Sequence, residues 1–329
     1  PRSTLFPYTT LFRSGDVLHA SGAAAAIKQT NPKAWLAWVV QDAFADLLRG
    51  NPHIDELVVV PFPGGFANLR HLKKAGLALR EERVDLVIDL QGLLKSAYIS
   101  WLSKALERCS AADAREGGRL AANHHMTCPR EIGGAGKQLQ YVASIGADIS
   151  GIEMELTATE EARAEVARLL VEGGLREGAP YVALVPASTR QTKEWPPERF
   201  AELARRLYEE LGLLPVFIGG RKDEALSARL LTAAAVPGIN LSGKTSLQSL
   251  IAVGERASLT VGGDTGPVFI LAVAGSPAVG LFGSTSFAGK LPSGPQWIAL
   301  WDRQPCYPCH KSYCDRLDCM KSLTVDRVM

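Results

Sequence analysis

The segment GGDTGP at residues 262–267 joins a short β-type run to an apolar run that is typical of a buried helix. The backbone N–H groups of Thr265 and Gly266 would lie at the start of that helix, where the helix dipole also favours an anion. Asp264 taken alone is equally typical of a simple helix N-cap. The segment therefore predicts either a capped helix or a binding site for a phosphate group.

Two further loops in the same half of the chain carry polar chemistry. The loop PASTRQTKEWP at residues 186–196 follows a buried-type strand and contains the hydroxyls of Ser188 and Thr189 and the cation of Lys193. The loop GGRKDE at residues 219–224 follows the next strand. Each loop alone has an ordinary explanation, because a lone lysine is usually a solvated surface charge and a Gly-Gly pair a tight turn. The carboxyl ends of parallel strands share one sheet edge, so the three loops together predict a site for a nucleotide diphosphate.

The first half of the chain has its own candidate residues. Asp16, in GDVLH at residues 15–19, stands in a strand-to-helix loop and is a candidate general base, although an N-cap is the simpler explanation. Gln91 and Lys95 follow another strand-like segment. Cations on a predicted helix either meet an acidic ligand or face water: these are Arg70, Lys73 and Lys74.

Short apolar runs alternate with amphipathic segments along most of the chain, which is typical of parallel βαβ units. Strands are predicted at residues 35–40, 57–60, 84–89, 181–185, 214–218 and 278–282, and helices at 66–80, 93–106, 160–171 and 223–235. Residues 111–136 show little periodicity and predict irregular structure. The expected fold is α/β, with two Rossmann-like, doubly wound parallel sheets in domains 1–155 and 156–329, and Thr159 is the expected N-cap of the helix at 160–171.

Bulk composition excludes several classes of protein. The chain has 329 residues, 47% hydrophobic and 21% charged, and a formal net charge of +2. That charge is too small to indicate a nucleic-acid-binding protein. No apolar run is long enough to span a bilayer, and no secretory signal is evident, so a cytoplasmic location is expected. Neither a Walker A motif nor a well-placed G-x-G-x-x-G is present, which disfavours ordinary NTPases and dinucleotide-binding enzymes.

The start of the chain fits this pattern poorly. A doubly wound domain needs a buried first strand just before Gly15, yet the preceding residues lack the alternation of a strand and include Pro7. The run at residues 4–14 is similar to a translated sequencing adapter. We therefore interpret residues 1–14 as a foreign leader joined to the native sequence at about Ser14.

Four of the six cysteines lie close together near the end of the chain, in the pattern C-x2-C-x4-C-x4-C. Thiols at such spacings are able to bind zinc, but the second and third gaps do not form the usual paired C-x2-C knuckles. A disulfide or free thiols are therefore favoured over zinc. The residues are Cys306, Cys309, Cys314 and Cys319.

Taken jointly, these segments resemble those of the ADP-heptose:lipopolysaccharide heptosyltransferases, glycosyltransferase family 9. The matching pieces are GDVLH at 15–19, DLVIDLQG at 85–92, KEWP at 193–196, DTG at 264–266 and LFG at 281–283. They occur in the order of the family and cover nearly the whole chain. Phe269 is a departure, since the family usually has a histidine there, and this puts one polar contact near the donor in doubt.

The resemblance implies a GT-B fold, with the two domains facing each other across a cleft. The N-terminal domain would bind the acceptor and the C-terminal domain the nucleotide sugar. The implied reaction is an inverting transfer of heptose from ADP-heptose to the inner core of lipopolysaccharide, with no metal or other cofactor required. Asp16 would be the general base, and Lys193 would stabilise the departing ADP.

The resemblance also implies the binding residues and a location. Donor contacts would come from Ser188, Thr189, Lys193, Asp264, Thr265 and Gly266, and acceptor contacts from Arg70, Lys73, Gln91 and Lys95. The enzyme would be cytoplasmic, peripheral at the inner face of the inner membrane. A similar cysteine cluster occurs in a branch of the family, and the family usually continues beyond the position of Met329, so both ends of the chain are expected to be incomplete.

Three alternatives remain open at this point. One is another GT-B sugar transferase or a nucleotide-sugar epimerase. A second is a homologue that binds the nucleotide sugar but has lost catalysis, which the presence of Asp16 and Lys193 argues against. A third is a two-lobed extracellular solute-binding protein, which the lack of a signal peptide disfavours.

Overall fold

The computed structural model describes residues 4–8, 14–62, 67–129, 132, 134–287 and 296–329. The chain divides into two compact units, Pro1–Leu156 and Thr157–Met329. Each unit contains one six-stranded sheet, and all the strand pairs in both sheets are parallel.

The sheet of the N-terminal unit has the strand order β3-β2-β1-β4-β5-β6, which is the order of a Rossmann fold. Its central strand is formed by the opening residues, which pair with β2 on one side and with β4 on the other. A strand therefore stands where the fold requires one, although the sequence indicated it poorly. The strands are β1 (Thr4–Tyr8), β2 (Trp35–Gln41), β3 (Glu56–Val60), β4 (Leu86–Asp89), β5 (Glu107–Ala111) and β6 (His124–Met126).

The helices of this unit differ in how they are buried. In α1 (Ser14–Thr30) the small residues Ala23, Ala24 and Ala26 are fully buried, so this helix packs closely with its neighbours. In α2 (Ala67–Glu81) one stripe, which includes Leu72 and Leu79, is buried, while basic residues face water. The other two helices are α3 (Leu94–Ser103) and α4 (Gly134–Ala143).

The prediction of irregular structure at residues 111–136 is correct for the turns and loops of that region but wrong for the rest. That region contains a short 3₁₀ helix, Gly118–Ala121, the edge strand β6 and the start of α4. The helix predicted at 93–106 ends at Ser103, and β5 follows it. A three-residue edge strand that begins with two exposed histidines shows no periodicity, so the sequence pattern could not indicate it.

The sheet of the C-terminal unit has the order β12-β11-β10-β7-β8-β9. Counted within the unit, this is again the Rossmann order, with β7 and β10 at the centre. Every residue of β7 is buried, which explains its uninterrupted apolar sequence. The strands are β7 (Tyr181–Val185), β8 (Leu214–Phe217), β9 (Ile239–Asn240), β10 (Leu259–Gly263), β11 (Ala278–Phe282) and β12 (Trp297–Trp301).

The helices of the C-terminal unit follow the predicted amphipathic segments closely. Thr159 caps α5, because its hydroxyl accepts the Ala162 N–H at 3.3 Å, which confirms the predicted N-cap. In α6, Phe200, Leu203 and Leu207 are buried on one face. The helices are α5 (Glu160–Glu172), α6 (Pro197–Leu211), α7 (Glu224–Ala234), α8 (Leu247–Arg256), α9 (Gly266–Val273), α10 (Asp318–Lys321) and α11 (Val325–Val328).

The predicted α/β class with two Rossmann-like parallel sheets is thus confirmed. In such sheets ligands bind outside the carboxyl ends of the strands, where the strand order reverses. This switch point lies between β1 and β4 in one unit and between β7 and β10 in the other. Within the part of the chain that the structure describes, no helix combines the length and apolar character that crossing a membrane requires.

Candidate functional site

The switch point of the C-terminal unit brings together two of the loops that the sequence singled out. The loop after β7 ends in a 3₁₀ turn, Gln191–Lys193, and the segment after β10 leads through Asp264 into α9. Because β7 and β10 are neighbours in register, both segments leave the same edge of the sheet side by side. Lys193 and Asp264, which were predicted separately, therefore meet.

Lys193 and Asp264 form a buried ion pair. The Lys193 Nζ lies 2.7 Å from the Asp264 Oδ2, and the two side chains are only 16% and 4% exposed. The same ammonium group donates to the Asp264 backbone oxygen at 3.2 Å. An ammonium group has three donors, and these contacts hold it in one position at the edge of the sheet.

Asp264 is not the N-cap of α9, so the simple capping explanation is wrong. The N-cap residue is Thr265, whose side chain makes no capping hydrogen bond. The Asp264 Oδ2 instead accepts a hydrogen bond from the Thr285 hydroxyl at 2.6 Å, in addition to the lysine. The carboxylate thus links the loops that follow β7, β10 and β11.

Of the two backbone N–H donors predicted at the start of α9, those of Thr265 and Gly266, the first is already occupied. The Thr265 N–H donates to the Gly263 carbonyl oxygen at 2.8 Å, so it does not point freely at a ligand. The first-turn N–H groups of a helix have no intrahelical partners, and here they begin at Gly266. The Thr265 Oγ1 is buried and finds no hydrogen-bond partner among the described residues. The predicted donor-binding role of Thr265 therefore cannot use its N–H, and the role itself stays a prediction.

The turn that carries Lys193 is packed tightly against two strand ends. A Cβ placed on Gly263, at the end of β10, would overlap the Lys193 carbonyl oxygen. A Cβ placed on Gly283, just after β11, would overlap the Thr192 carbonyl oxygen. Only glycine leaves room for the carbonyl oxygens of the turn to come this close. The two glycines therefore determine the distance between the turn and the strand ends.

A C-terminal segment holds the other side of the same turn. The buried Thr192 hydroxyl donates to the Lys311 carbonyl oxygen at 2.5 Å and lies 2.9 Å from the Ser284 hydroxyl. The Cys314 N–H donates to the Gln191 Oε1 at 3.1 Å. Since Gln191 and Thr192 directly precede Lys193, the segment at residues 310–314 braces the turn that carries the lysine.

Of the four clustered cysteines, Cys314 lies in this bracing segment and the other three flank it, and all four are free thiols. Burial, together with the nearby thiols of Cys306, Cys309 and Cys314, raises the pKa of Cys319, so the four sulfur atoms share one neighbourhood. Backbone N–H groups of Leu317 and Arg316 lower the pKa of Cys314. Over the described ranges, no group of three or more His, Cys, Asp or Glu side chains is placed to hold a metal ion.

The two predicted hydroxyl donors precede Lys193 in the same loop. Ser188 and Thr189 stand in the loop between β7 and the 3₁₀ turn, and Thr189 is exposed. The Ser188 Oγ accepts the Arg190 N–H at 3.4 Å. Within the described residues, no hydrogen bond joins either hydroxyl to Asp264, so their donor role stays a prediction.

The general base expected in the N-terminal unit is Asp16, which lies in the first turn of α1. Its side chain is outside the described part of the structure. Its role therefore stays a prediction. The switch point of this unit nevertheless shows a second acidic group, Asp89, at the end of β4.

Asp89 is 1% exposed, and its two oxygens have different surroundings. The Oδ1 accepts the N–H groups of Gln91 at 3.0 Å and Gly92 at 2.9 Å. The Oδ2 has no partner among the described residues, and neither has the Ser110 Oγ at the register position of β5 beside it. Burial outweighs the hydrogen bonds and raises the pKa of Asp89 to about 6.

This raised pKa predicts a pH-dependent stability. The folded-state pKa lies above the unfolded value of 3.8, so Asp89 stabilises the fold below that pH, and this stability is lost as the pH rises through about 6. The full effect is about 3 kcal/mol. When the pH is raised from about 5 to about 7.5, the free energy of unfolding of wild type should fall by about 1 kcal/mol relative to that of the Asp89→Asn variant. Urea unfolding of both full chains at a series of pH values measures this difference. If the free energy of unfolding had the same pH dependence in both, the assignment would be contradicted.

The predicted acceptor residues are distributed over the same unit. Gln91 lies in the turn held by Asp89, and the Lys95 Nζ lies 4.2 Å from the centre of the Phe62 ring. Burial lowers the pKa of Lys95, and nearby Glu116 opposes that shift. Arg70, Lys73 and Lys74 are exposed on α2. Their binding role also stays a prediction.

Several residues of these sites were missed at the level of sequence. Thr285 and Ser284 directly follow the quoted motif LFG, so a polar pair after a strand end was the available signal. Thr192 lies beside Lys193 but looks like an ordinary loop residue. The burial of Asp89 had no signal in the sequence, because an aspartate at a strand end is usually solvated.

Two Rossmann-type units, one with a buried lysine–aspartate pair at its switch point, define the general class of GT-B nucleotide-sugar enzymes. The chain belongs to glycosyltransferase family 9 (heptosyltransferase), whose model matches residues 72–320. It is therefore a glycosyltransferase of the heptosyltransferase type, and the resemblance noted in the sequence is confirmed.

Individual relatives agree with this assignment. Lipopolysaccharide heptosyltransferase 1 of Pseudomonas aeruginosa is 28% identical over an alignment of 324 positions, which covers 91% of this chain and 84% of the relative. The crystal structure of a glycosyl transferase family 9 protein from Veillonella parvula has a TM-score of 0.83 at 22% identity, with 91% and 85% of the two chains covered. E. coli heptosyltransferase WaaC with ADP has a TM-score of 0.78 at 22% identity, with 99% and 97% covered.

Proposed function

We propose that this chain transfers heptose from ADP-heptose to the inner core of lipopolysaccharide, with inversion at the anomeric carbon and without a required metal. The observation that carries the proposal is the buried Lys193–Asp264 pair beside the first turn of α9, in a chain of the heptosyltransferase family. Relatives named lipopolysaccharide heptosyltransferases, and a structural neighbour named as a complex with ADP, support the donor and acceptor classes.

In the proposed reaction, Asp16 takes the proton of the acceptor hydroxyl as that oxygen attacks the anomeric carbon. The bond between that carbon and the ADP oxygen breaks, and negative charge grows on the diphosphate. The Lys193 ammonium and the first-turn N–H groups of α9, those of Gly266 and Val268, compensate this charge. Asp264 keeps the ammonium in place and does not touch the phosphate itself, because both are anions.

The remaining binding roles follow the same division. Thr265, through its hydroxyl, and the loop hydroxyls of Ser188 and Thr189 are proposed to contact the donor. The acidic sugars and phosphates of the acceptor are proposed to meet the cations Arg70, Lys73 and Lys95, with Gln91 beside them. This acceptor is part of a membrane lipid, so the proposed location is the cytoplasmic face of the inner membrane.

The experiment that tests the proposal measures ADP release from ADP-heptose with a heptose-deficient lipopolysaccharide acceptor, in the presence of EDTA. Wild type is compared with Asp16→Ala and with a matched control, Asp42→Ala. Asp42 is an exposed aspartate just after the end of β2, in the same unit. Loss of a general base should lower turnover about 10²- to 10⁴-fold in Asp16→Ala, whereas the control should retain the wild-type rate.

Calorimetry with ADP-heptose separates the two parts of the proposal. Loss of turnover in Asp16→Ala with unchanged donor binding supports the base assignment. Full turnover in that variant would remove Asp16 from the mechanism and leave the transferase in place. Absence of acceptor-dependent ADP release in wild type, with or without Mg²⁺, would overturn the proposed substrate pair.

A further inference from the structure

Large apolar side chains are exposed along one layer of the N-terminal unit. The helices α2 and α3 pack on each other, and α3 packs on the 3₁₀ helix Gly118–Ala121. These elements and the link after α3 expose five such side chains: Leu69 (53%), Leu94 (57%), Trp101 (51%), Leu106 (79%) and Leu120 (87%). Single exposed apolar residues are ordinary, but a group on adjoining elements indicates a surface that meets another apolar phase.

The exposed residues of α3 share one face. Leu94 and Trp101 are seven positions apart, which returns to the same side of a helix, and Tyr98 lies between them on that side. The rings of Tyr98 and Trp101 are stacked, with centroids 6.4 Å apart. The face is therefore a continuous apolar and aromatic strip, rather than two isolated side chains.

Basic residues outnumber acidic ones in this part of the chain. The helices α2 and α3 and residues 104–120 contain nine Lys or Arg residues and four acidic residues, a net charge of +5, although the whole chain has a net charge of only +2. The Nζ of Lys104, at the end of α3, lies 4.3 Å from the centre of the Trp101 ring. Lysine in this position covers the ring with its methylene chain and leaves its charge outermost.

A mixed basic, leucine and tryptophan surface has a characteristic partner. Lys and Arg pair with anionic headgroups, while Trp and Leu enter the boundary between headgroups and acyl chains. A nucleic acid would pair with the charges but would not cover Leu94 and Leu120. A second copy of the same basic surface would place like charges opposite one another. Charge complementarity thus favours an anionic lipid surface.

We propose that this basic apolar face, formed by α2, α3 and residues 104–120, is a docking surface for membranes that contain anionic phospholipids. The inference goes beyond the proposed function, because it concerns the lipid bilayer rather than the sugar acceptor. It is compatible with an acceptor that is itself a lipid, since docking would present α2 and the turn after β4 to the membrane surface.

Sedimentation with vesicles tests the proposal on the full chain, without any sugar substrate. Vesicles of phosphatidylglycerol and phosphatidylethanolamine are compared with vesicles of phosphatidylcholine alone. Wild type should sediment with the anionic vesicles only, and added salt should weaken binding. Each basic residue near the surface changes partitioning by about fivefold, so the charge-reversal variant Arg80→Glu/Lys104→Glu should bind at least about tenfold more weakly.

A second variant, Leu94→Ser/Trp101→Ser, tests the apolar part and should also lose at least about tenfold in binding. Its matched control is Val171→Ser/Leu211→Ser, which removes two equally exposed apolar side chains (58% and 57%) from the C-terminal unit. The control for charge is Lys222→Glu/Arg229→Glu, two exposed cations of that unit. Both controls should bind within about twofold of wild type.

Three outcomes would overturn the proposal. The first is that wild type does not bind anionic vesicles. The second is that the controls lose binding as strongly as the test variants. The third is that wild type sediments as a dimer in the absence of lipid and Leu94→Ser/Trp101→Ser makes it a monomer, because the face would then be a contact between two copies of the chain.

Discussion

Replacing Lys193 with methionine is expected to lower the turnover number for heptose transfer by about 10²- to 10³-fold, which is the usual effect of removing one donor that stabilises charge in a transition state. The reason is the position of the ammonium group. It is held 2.7 Å from Asp264 at the start of α9, where the proposed diphosphate gains charge. The Michaelis constant for the donor should change less, since the charge develops mainly during bond cleavage.

The same replacement has a structural cost that must be separated from the chemical effect. Methionine leaves the Asp264 carboxylate almost fully buried and without the ammonium group, although the Thr285 hydroxyl still donates to it. Breaking a buried ion pair on one side typically destabilises a protein by about 3–5 kcal/mol. The double variant Lys193→Met/Asp264→Asn removes both charges, so it should recover most of this stability while its turnover stays low.

Turnover is measured by ADP release, and stability by the thermal unfolding midpoint of each variant. The matched control is Arg229→Met, which removes an exposed cation of α7 in the same unit. This control should keep wild-type turnover and stability. If the double variant recovered turnover together with stability, Lys193 would be a structural residue and not part of the proposed chemistry.

Much of the fold was predictable because buried parallel strands have a strong sequence signal. The strand predicted at 181–185 coincides with β7, and that predicted at 278–282 with β11. Both are continuous apolar runs bounded by polar or flexible residues. The strands β6 and β12 were not predicted, since one has three residues and the other is only partly buried.

The individual residues of the candidate site were predictable from the sequence, but the contacts between them were not. Lys193 and Asp264 stood out because both follow strands that end at one sheet edge. Their ion pair joins positions 71 residues apart and depends on the path of two loops, which no local pattern encodes. The contact of Thr192 with Lys311 spans 119 residues and is equally invisible in the sequence.

Replacing Gly263 with alanine is the second change with a large expected effect. The new Cβ would overlap the Lys193 carbonyl oxygen, which is a backbone atom and cannot rotate away. On the other side, Thr192 is held by Ser284 and by the Lys311 carbonyl oxygen, so the turn is confined between the strand end and the bracing segment. The turn must therefore shift as a whole, and Lys193 with it.

A shift of about 1 Å at a charge-stabilising group costs about 10²-fold in rate. Overpacking of this kind also destabilises a protein by about 1–3 kcal/mol. We therefore expect Gly263→Ala to fold, with a lower thermal midpoint, and to lose about 10²-fold in turnover when both are measured below that midpoint. In the matched control, Gly220→Ala, the new Cβ would lie 3.5 Å from the Asp223 Oδ2, an ordinary contact, so its turnover should stay near wild type. Equal behaviour of the two alanine variants would mean that the depth of the Lys193 turn does not control catalysis, and the role of Lys193 would then rest on its charge alone.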